Sequence, residues 1–355
     1  MDRQVARRHV LAGAGTVALA AASLVADAWR PKRHPTGAPA AHRQPQDGIA
    51  TPPLPFLSIA GFDTVVVDRP GLIRLLRSLT GAVATLTRDG PARQTVTVGF
   101  GPSVFGDDRF GVLDRRPAAL VPLPAFPGEA LDPLQSDGDI CVQACATSPA
   151  DAHQAVRTIV NAIRPYAKLR WRHTGFRPGD GADPRGMLGF RDGTANISGS
   201  DHDALARHVW VRDGGSWLDG GSYLVVRRIR LLLDTWDRVG IAVQEATVGR
   251  HQRTNERIDA PPTAHARLAR PVAETERMLR RSYAYDAGAD PNGLLDAGLV
   301  FICFQRDPGA QFVPVQRRLA ERDALNAFSQ HTASGVFACP PAPGPGSWLG
   351  AGLLE

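Results

Sequence analysis

Cysteine is scarce in this 355-residue chain, which contains only Cys141, Cys145, Cys303 and Cys339. The four residues form no CxxC or CxxCH motif and no two pairs with the spacing of metal ligands. This pattern disfavours covalent attachment of a c-type haem and a structural zinc site. Because the neighbouring residues are apolar, we expect four buried free thiols.

Lysine is almost absent, so the positive charge of the chain is carried by arginine. Lysine and arginine together number 41 against 35 acidic residues, which gives a net charge of +6. No basic run is interleaved with aromatic residues in the way that a nucleic-acid-binding surface requires. The basic character therefore indicates a bias in composition, and we expect no nucleic-acid partner.

Long hydrophobic runs are also lacking. The apolar stretch from Val10 to Val25 follows a pair of arginines and is too short to span a membrane. Residues 26–28, Ala-Asp-Ala, fit a small-x-small cleavage site. The pattern predicts a twin-arginine export signal over residues 1–28, although Val10 replaces the phenylalanine of the consensus. We expect a secreted or extracytoplasmic protein that is exported already folded and keeps no membrane span.

A polar segment precedes a regular alternation of strand and helix patterns. Residues 29–54 are rich in proline and alanine and indicate a flexible tether, with order beginning near Pro55. Beyond it, apolar periodicity predicts a strand, a helix, two strands, a helix and a strand. In that order they are Leu57–Val67, Gly71–Leu86, Thr95–Phe100, Gly138–Thr147, Asp151–Tyr166 and Leu169–Phe176. The order β-α-β-β-α-β is that of a ferredoxin-like domain, which we place at residues 55–185.

The second half of the chain repeats this plan. The pattern predicts strands and helices in alternation, with a loop over residues 249–271. The elements are Ser222–Leu233, Thr235–Gly249, Leu299–Gln305, Gln311–Phe328 and Gly335–Ala338. We therefore predict an α+β fold of two ferredoxin-like domains, the second at residues 186–342 and followed by a tail at 343–355. A cofactor pocket is expected where two such halves meet.

The most distinctive stretch joins the two halves. It reads Gly186-Met187-Leu188-Gly189-Phe190-Arg191-Asp192-Gly193-Thr194-Ala195-Asn196. Glycine permits positive φ and lets the backbone approach a flat ligand closely. An aspartate between Gly189 and Gly193 would point into a cavity, and an ordinary Asp-Gly surface turn is the alternative.

Together with later segments, this stretch resembles the dye-decolorising peroxidases, a family of haem enzymes, and in particular their exported twin-arginine subgroup. Residues 189–196 look like the GxxDG motif of that family. The next strand of the family resembles residues 217–230, its proximal-histidine segment 265–268 and its distal-arginine segment 279–283. Its C-terminal part resembles residues 301–319 and 331–341. The resemblance implies two ferredoxin-like domains of the dimeric α+β barrel type, with haem b between the sheet and the helices of the C-terminal domain.

The resemblance also implies a haem ligand and its partners. His265 matches the axial ligand of the haem iron. A ligating histidine normally donates its second N–H to an acceptor, and Asn326 or Asp323 lies near the family's position for it. Arg250 matches a position that often pairs with a haem propionate. Gly189 and Gly193 are expected to line the cofactor.

Catalytic residues follow from the same resemblance. Asp192 matches the acid/base that moves a proton of hydrogen peroxide, which predicts a preference for acidic pH. One of two adjacent arginines, Arg280 or Arg281, supplies positive charge as the O–O bond polarises. The family spacing favours Arg280, and a shift of strand register would exchange the two roles.

The function implied is that of a haem peroxidase, which reduces hydrogen peroxide and oxidises dyes, phenols or other aromatic donors one electron at a time. The alternatives are an exported haem- or iron-handling protein similar to a deferrochelatase, a haem-binding module without activity, and a basic binding protein without haem. A homo-oligomer and a copper or iron protein as partner are compatible with the resemblance. Aromatic residues that could relay electrons to the surface are more simply interpreted as core residues. They are Trp217, Tyr223, Trp236, Tyr283 and Tyr285.

Overall fold

A computed structural model describes residues 44–88, 94–177, 185–191, 195–213 and 216–354. All of them fall within one structural unit, residues 43–355. The predicted export signal at residues 1–28 lies outside the described residues, and so do Asp192 and Gly193. None of the helices in the described ranges has both the length and the apolar character that crossing a membrane requires.

The described part of the chain contains nine antiparallel strands in one sheet. They are β1 (Phe56–Thr64), β2 (Gln94–Phe100), β3 (Ile140–Ala146), β4 (Ala167–Phe176), β5 (Ser222–Leu231), β6 (Leu279–Arg280), β7 (Tyr283–Ala289), β8 (Leu295–Gln305) and β9 (Ser329–Cys339). The strands lie in the order β5-β9-β2-β3-β1-β4-β7-β8, and β8 pairs again with β5. The sheet therefore closes on itself, while β6 lies beside the last residues of β8.

Helices cover parts of this sheet. Those in the described ranges are α1 (Arg69–Arg88), α2 (Pro149–Ile163), α3 (His202–His208), α4 (Leu233–Trp236), α5 (Ile241–Val248), α6 (His265–Leu268), α7 (Phe312–Arg322) and α8 (Ala351–Leu354). A turn of 3-10 helix, Ala324–Phe328, follows α7. The predicted α+β class is confirmed, because both kinds of element pack on each other in each half of the chain.

Each half contributes four neighbouring strands to the closed sheet. The first half supplies β2-β3-β1-β4 with α1 and α2, in the chain order β-α-β-β-α-β. The second half supplies β9-β5-β8-β7, with α4 and α5 after its first strand and α7 before its last. The halves meet at two short pairings, of Phe100 with Ala338 and of Phe176 with Ala284.

The closed sheet encloses an apolar core. Strands from both halves contribute alternate residues to one cluster, among them Ile59, Cys141, Leu224, Ile302 and Phe337, each at most 1% exposed. Burial of such side chains stabilises the fold by roughly 1.5–3 kcal/mol each. The four cysteines are free and buried, as predicted.

Residues 44–54 correct the predicted start of the folded region. Gln46 and Ile49 are buried. The side-chain amide of Gln46 donates to the carbonyl oxygens of Val98 at 2.8 Å and Pro340 at 2.7 Å, and its Oε1 accepts from Val98 N at 2.8 Å. The prediction of a flexible tether is therefore wrong for residues 44–54, because buried side-chain contacts, among them those of Gln46 to both halves, anchor them.

Two predicted helices differ from the structure, one by an interruption and one by an earlier end. The predicted helix Thr235–Gly249 is divided into α4 and α5, because the backbone at Gly240 is extended. The predicted helix Gln311–Phe328 ends at Arg322, where Asp323 becomes extended with φ −71° and ψ 124°. The last strand, β9, is longer than predicted and begins at Ser329.

Strand β7 was not predicted. Its first three residues are buried and its last four are exposed, so it lacks the regular alternation that identifies a half-buried strand. The predicted tail contains α8, whose residues Leu353 and Leu354 are buried in the cluster under α1.

Candidate active site

His265 is the first residue of α6, a helix of only one turn. Its Nδ1 lies 2.6 Å from Oδ2 of Asp323. The Asp323 side chain is 3% exposed and the His265 side chain 37% exposed. A carboxylate acceptor holds a proton on Nδ1, so that Nε2 carries the lone pair that can bind a metal. This donor set fits the axial ligation of a haem iron.

The end of α7 brings Asp323 to His265. Asp323 N donates to Leu319 O at 2.9 Å, and Asp323 Oδ1 accepts from Leu325 N at 2.9 Å, which caps the following 3-10 turn. Ala324 N also donates to Thr263 O at 2.9 Å, two residues before His265. Main-chain and side-chain contacts therefore fix the same two segments against each other.

Asn326 contacts the end of α7. The residue is exposed, and its Nδ2 donates to the carbonyl oxygens of Leu319 at 2.9 Å and Ala320 at 3.1 Å. It caps the end of α7 because the backbone reverses direction there. Of the two predicted partners of His265, the structure therefore assigns Asp323, whereas a contact of Asn326 with the cofactor stays a prediction.

Arg280 lies beside the end of the glycine-rich stretch. Its Nη2 donates to Ala195 O at 2.9 Å. Its backbone N donates to Asn196 Oδ1 at 2.9 Å, and its backbone O accepts from Asn196 Nδ2 at 2.7 Å. Asn196 thus binds both main-chain groups of Arg280, as a neighbouring strand would. Asp192, three positions before Ala195, lies outside the described residues.

Arg281 is directed to a different part of the structure. It is 4% exposed, its Nη1 donates to Ile49 O at 3.2 Å, and the same atom donates to Thr51 O. Burial lowers the pKa of the Arg281 guanidinium below its usual value. The Arg281 guanidinium therefore anchors residues 49–51 inside the fold, and of the two adjacent arginines Arg280 is the one bonded to the end of the glycine-rich stretch.

Gly189 ends a tight turn in the glycine-rich stretch. Its N donates to Gly186 O at 2.9 Å, and its φ is +81°. A Cβ at this position would lie 2.9 Å from Gln252 Nε2. The positive φ that glycine permits is thus used at Gly189, and among the described residues the close neighbour is the side chain of Gln252. Gly193 lies outside those residues.

An unpredicted arginine joins this turn to the loop after α5. Arg185 Nη1 donates to Gly189 O at 2.9 Å and also to Gln252 O, while Nη2 donates to Arg253 O at 3.2 Å. The sequence did not predict this role, because two of the three acceptors are backbone carbonyls 67 and 68 positions away in the chain. The residue's place directly before the glycine-rich stretch was the available signal.

Arg250 shapes the same loop. It follows Gly249, whose φ of +86° ends α5, and its Nη1 donates to Asn255 O at 2.9 Å. An isolated bridge pairs Arg250 with Arg257. These contacts close the loop of residues 250–257, which lies between α5 and α6. A contact of Arg250 with a haem propionate stays a prediction.

The aromatic residues considered as electron relays are core residues. Each of the five is at most 4% exposed: Trp217, Tyr223, Trp236, Tyr283 and Tyr285. Trp236 packs edge to face against Phe190 and Phe328, with ring centroids 6.2 and 5.0 Å apart. This packing fixes the glycine-rich stretch to α4, because Phe190 belongs to that stretch.

Comparisons with known proteins agree with this geometry. Residues 46–177 match the family model described as Dyp-type peroxidase, N-terminal, and residues 183–343 match the one described as Dyp-type peroxidase, C-terminal. The dye-decolorizing peroxidase of Thermobifida fusca (strain YX) is 34% identical, over 98% of this chain and 97% of the relative. The deferrochelatase of Escherichia coli O157:H7 is 32% identical over the same shares of the two chains.

A solved structure gives the same result. The crystal structure of the DyP-type peroxidase from Cellulomonas bogoriensis has a TM-score of 0.82 and 37% identity, and the match covers 89% of this chain and 98% of that one. The two family models together span most of the described residues, and the His265–Asp323 pair supplies a suitable iron ligand within the C-terminal match. The chain therefore belongs to the Dyp-type peroxidase family and is a haem-dependent peroxidase.

Proposed function

We propose that this protein is an extracytoplasmic haem b peroxidase in which Asp192 and Arg280 act on hydrogen peroxide and His265 holds the iron. The observation that carries the assignment of Arg280 is its set of three hydrogen bonds to Ala195 and Asn196. They attach the arginine to the segment that carries Asp192. The haem lies, in this proposal, between the sheet and the helices of the second of two ferredoxin-like domains.

On the ligand side, His265 binds the iron through Nε2, and the buried Asp323 carboxylate accepts the hydrogen bond from Nδ1–H. The negative charge of Asp323 makes the imidazole a stronger electron donor. When bound, the haem would supply the iron at which peroxide is reduced and the two electrons of that reduction, which aromatic donors would then return one at a time. Arg250 is proposed to neutralise a propionate.

On the peroxide side, Asp192 accepts a proton from one oxygen of hydrogen peroxide and delivers it to the other, which then leaves as water. The carboxylate is regenerated, so one residue serves as base and then as acid. Arg280 keeps its positive charge throughout, because a guanidinium does not lose its proton in proteins. It stabilises negative charge as the O–O bond polarises.

Replacing the acid/base tests this assignment. In Asp192→Asn, we expect the second-order rate constant for the reaction with peroxide to fall by about 10²–10⁴-fold, the usual contribution of a positioned acid/base. Asp203→Asn, an exposed carboxylate on α3, is the matched control. Stopped-flow spectra of the haem-loaded protein give the rates. Equal rates in Asp192→Asn and Asp203→Asn would remove Asp192 from the mechanism.

Export is a separate part of the proposal. The arginine pair, the short apolar stretch and the small-x-small site at residues 26–28 support a twin-arginine signal. We expect the full chain to reach the outside of the cytoplasmic membrane in cells with a twin-arginine transporter and to stay inside in cells without one. Replacement of both arginines by lysine should also keep it inside. Export that persists in either case would contradict the assignment.

Removal of iron from haem is a second candidate function, because the deferrochelatase of Escherichia coli O157:H7 is 32% identical over 98% of this chain. The two functions leave different products. Iron removal yields intact porphyrin without iron, whereas peroxidase turnover yields oxidised aromatic donor. Porphyrin fluorescence and donor oxidation, measured on the same sample, distinguish them. A homo-oligomer and a metal-protein partner are tested by light scattering of the purified protein and by co-purification.

A further inference from the structure

Arg318 connects α7 to the end of the helix that carries the axial ligand. Its Nε donates to Leu268 O at 3.0 Å, and its Nη2 donates to Arg270 O at 3.1 Å. Leu268 is the last residue of α6. The carbonyl groups at a helix C-terminus have no partner within the helix. Arg318 therefore supplies, from another helix, the donors that α6 lacks.

Glu276 holds the guanidinium of Arg318 in this position. Arg318 Nη1 lies 3.2 Å from Glu276 Oε1, and Nη2 lies 2.9 Å from Oε2. Such a two-point contact fixes orientation as well as distance. Burial raises the pKa of Glu276, but the hydrogen bonds from Arg318 and Val272 N outweigh it and hold the pKa below its usual value. Glu276 is 9% exposed, so solvent screens this ion pair weakly.

Helix α6 depends on such contacts because it is too short to be stable alone. It has one turn, and no side chain caps its N-terminus. A single turn fixes several backbone dihedrals for few hydrogen bonds. Helix α7 and the residue after it hold α6 at both ends, with Asp323 at His265 and Arg318 at Leu268 and Arg270. These two contacts set the position of the imidazole relative to the buried carboxylate.

We propose that Arg318 and Glu276 are positioning residues for the axial ligand, which keep His265 at hydrogen-bonding distance from Asp323 and so set the electron donation of its imidazole. This inference rests on the proposed function, because it takes His265 as the iron ligand. Without Arg318, α6 loses its C-terminal donors and the His265–Asp323 contact loosens. A more weakly hydrogen-bonded imidazole donates less charge and stabilises ferric iron less.

The test compares Arg318→Met with Arg317→Met in the haem-loaded protein. Arg317 is the exposed neighbour on α7, so the control removes the same charge from the same helix. In Arg318→Met, we expect a positive shift of the ferric/ferrous midpoint potential and a lower iron–histidine stretching frequency in the ferrous resonance Raman spectrum. Arg317→Met should match wild type in both. Glu276→Gln should shift both in the same direction as Arg318→Met, and Arg318→Lys should restore part of the difference.

Hydrogen exchange of the Ala269 amide is a readout that does not require haem. This amide donates to His265 O at 2.8 Å and reports the opening of α6. Because a hydrogen bond from a charged donor is lost, exchange should accelerate by about tenfold or more in Arg318→Met. If Arg318→Met folds poorly, Arg318→Lys and Glu276→Gln, which keep more of the contact, replace it.

Two results would overturn the inference and leave the proposed function intact, and a third would show that the proposed function itself fails. In the first, Arg318→Met lowers the melting temperature, but its midpoint potential and its iron–histidine stretching frequency equal those of Arg317→Met. The role of Arg318 would then be to stabilise the fold and not to position the ligand. Unchanged exchange at Ala269 would show that Arg318 does not hold α6. If His265→Ala leaves the wild-type stretching band in place, the ligand assignment itself fails, and the inference fails with it even when Ala269 exchange is accelerated.

Discussion

Asp323 Oδ2 lies 2.6 Å from His265 Nδ1, and only 3% of the Asp323 side chain is exposed. A buried carboxylate requires a partner, because an unpaired charge in the interior is costly. The His265 N–H is that partner, and Leu325 N is a second donor to the same carboxylate. The Asp323 side chain therefore both caps the turn after α7 and sets the hydrogen bonding of the His265 imidazole.

The first prediction concerns this pair. In Asp323→Asn, we expect the affinity for haem to fall by about 10- to 100-fold and the midpoint potential to rise, because a neutral amide polarises the imidazole less. Haem titration and spectroelectrochemistry measure the two effects. Asn326→Ala is the control, since Asn326 contacts only carbonyls of α7 among the described contacts. An equal effect of the two substitutions would contradict the assignment of Asp323.

A second prediction concerns the attachment of Arg280. Asn196→Ala removes both side-chain hydrogen bonds to the Arg280 backbone, and each is worth about 1 kcal/mol. We expect the rate constant for peroxide reduction to fall by about tenfold or more, since misplaced charge stabilises the transition state less well. The visible spectrum of the resting protein should keep its histidine-ligated form. Asn292→Ala, in an exposed turn, should leave the rate unchanged.

A third prediction concerns the turn at Gly189. Any other residue at φ +81° is strained, and alanine at such a position costs roughly 1–2 kcal/mol. Gly128→Ala is the matched control, because Gly128 has φ +80° and open space around it. Urea unfolding should show a loss for both variants and a somewhat larger one for Gly189→Ala, whose Cβ displaces Gln252. Peroxidase activity should fall only in Gly189→Ala, and activity loss in Gly128→Ala would contradict this view.

A fourth prediction is a pH dependence of stability. Burial and the nearby charge of Arg228 lower the pKa of His173 to about 4, although Asp296 and a backbone hydrogen bond act in the opposite direction. The unfolded chain binds this proton near pH 6.5. The contribution of neutral His173 is therefore complete above about pH 6.5 and is lost toward pH 4, at about 1.4 kcal/mol per pH unit.

Unfolding free energies at pH 7, 6 and 5 test this prediction. His173→Gln should reduce the slope of stability against pH by about one proton below pH 6.5. His202→Gln is the control, because His202 is exposed at the start of α3. The same slope in both variants would show that His173 does not titrate on unfolding in this range.

The first half of the fold was largely predictable from sequence. Helix α1 could be identified because Leu72, Leu75, Leu76 and Leu79 recur at helical spacing and all become buried. Strand β7 could not, since a strand that is half core and half solvent has no regular alternation. Residues 44–54 were misinterpreted because their anchors are side-chain contacts to distant backbone groups, such as those of Gln46 and Arg281.

The site was predictable in residue type but not in partner. His265 could be assigned from the resemblance, whereas the choice between Asp323 and Asn326 depended on where α7 ends. Asp323 and Asn326 are three positions apart, so that on a continued helix they would lie on the same face. The residue at which α7 ends therefore decides which of the two reaches His265. Arg318 and Glu276 gave no sequence signal because they are 42 positions apart and act on backbone carbonyls.

Closure of the sheet rests on two single-residue pairings, Phe100 with Ala338 and Phe176 with Ala284. Through them, β2 and β4 of the first half lie beside β9 and β7 of the second, so each half occupies the space next to a strand edge of the other. A fragment that ended between the halves would expose these two strand edges, and exposed edges can pair with further chains. We therefore expect the second half to protect the first against aggregation, and the growing chain to be most vulnerable before β9 is complete.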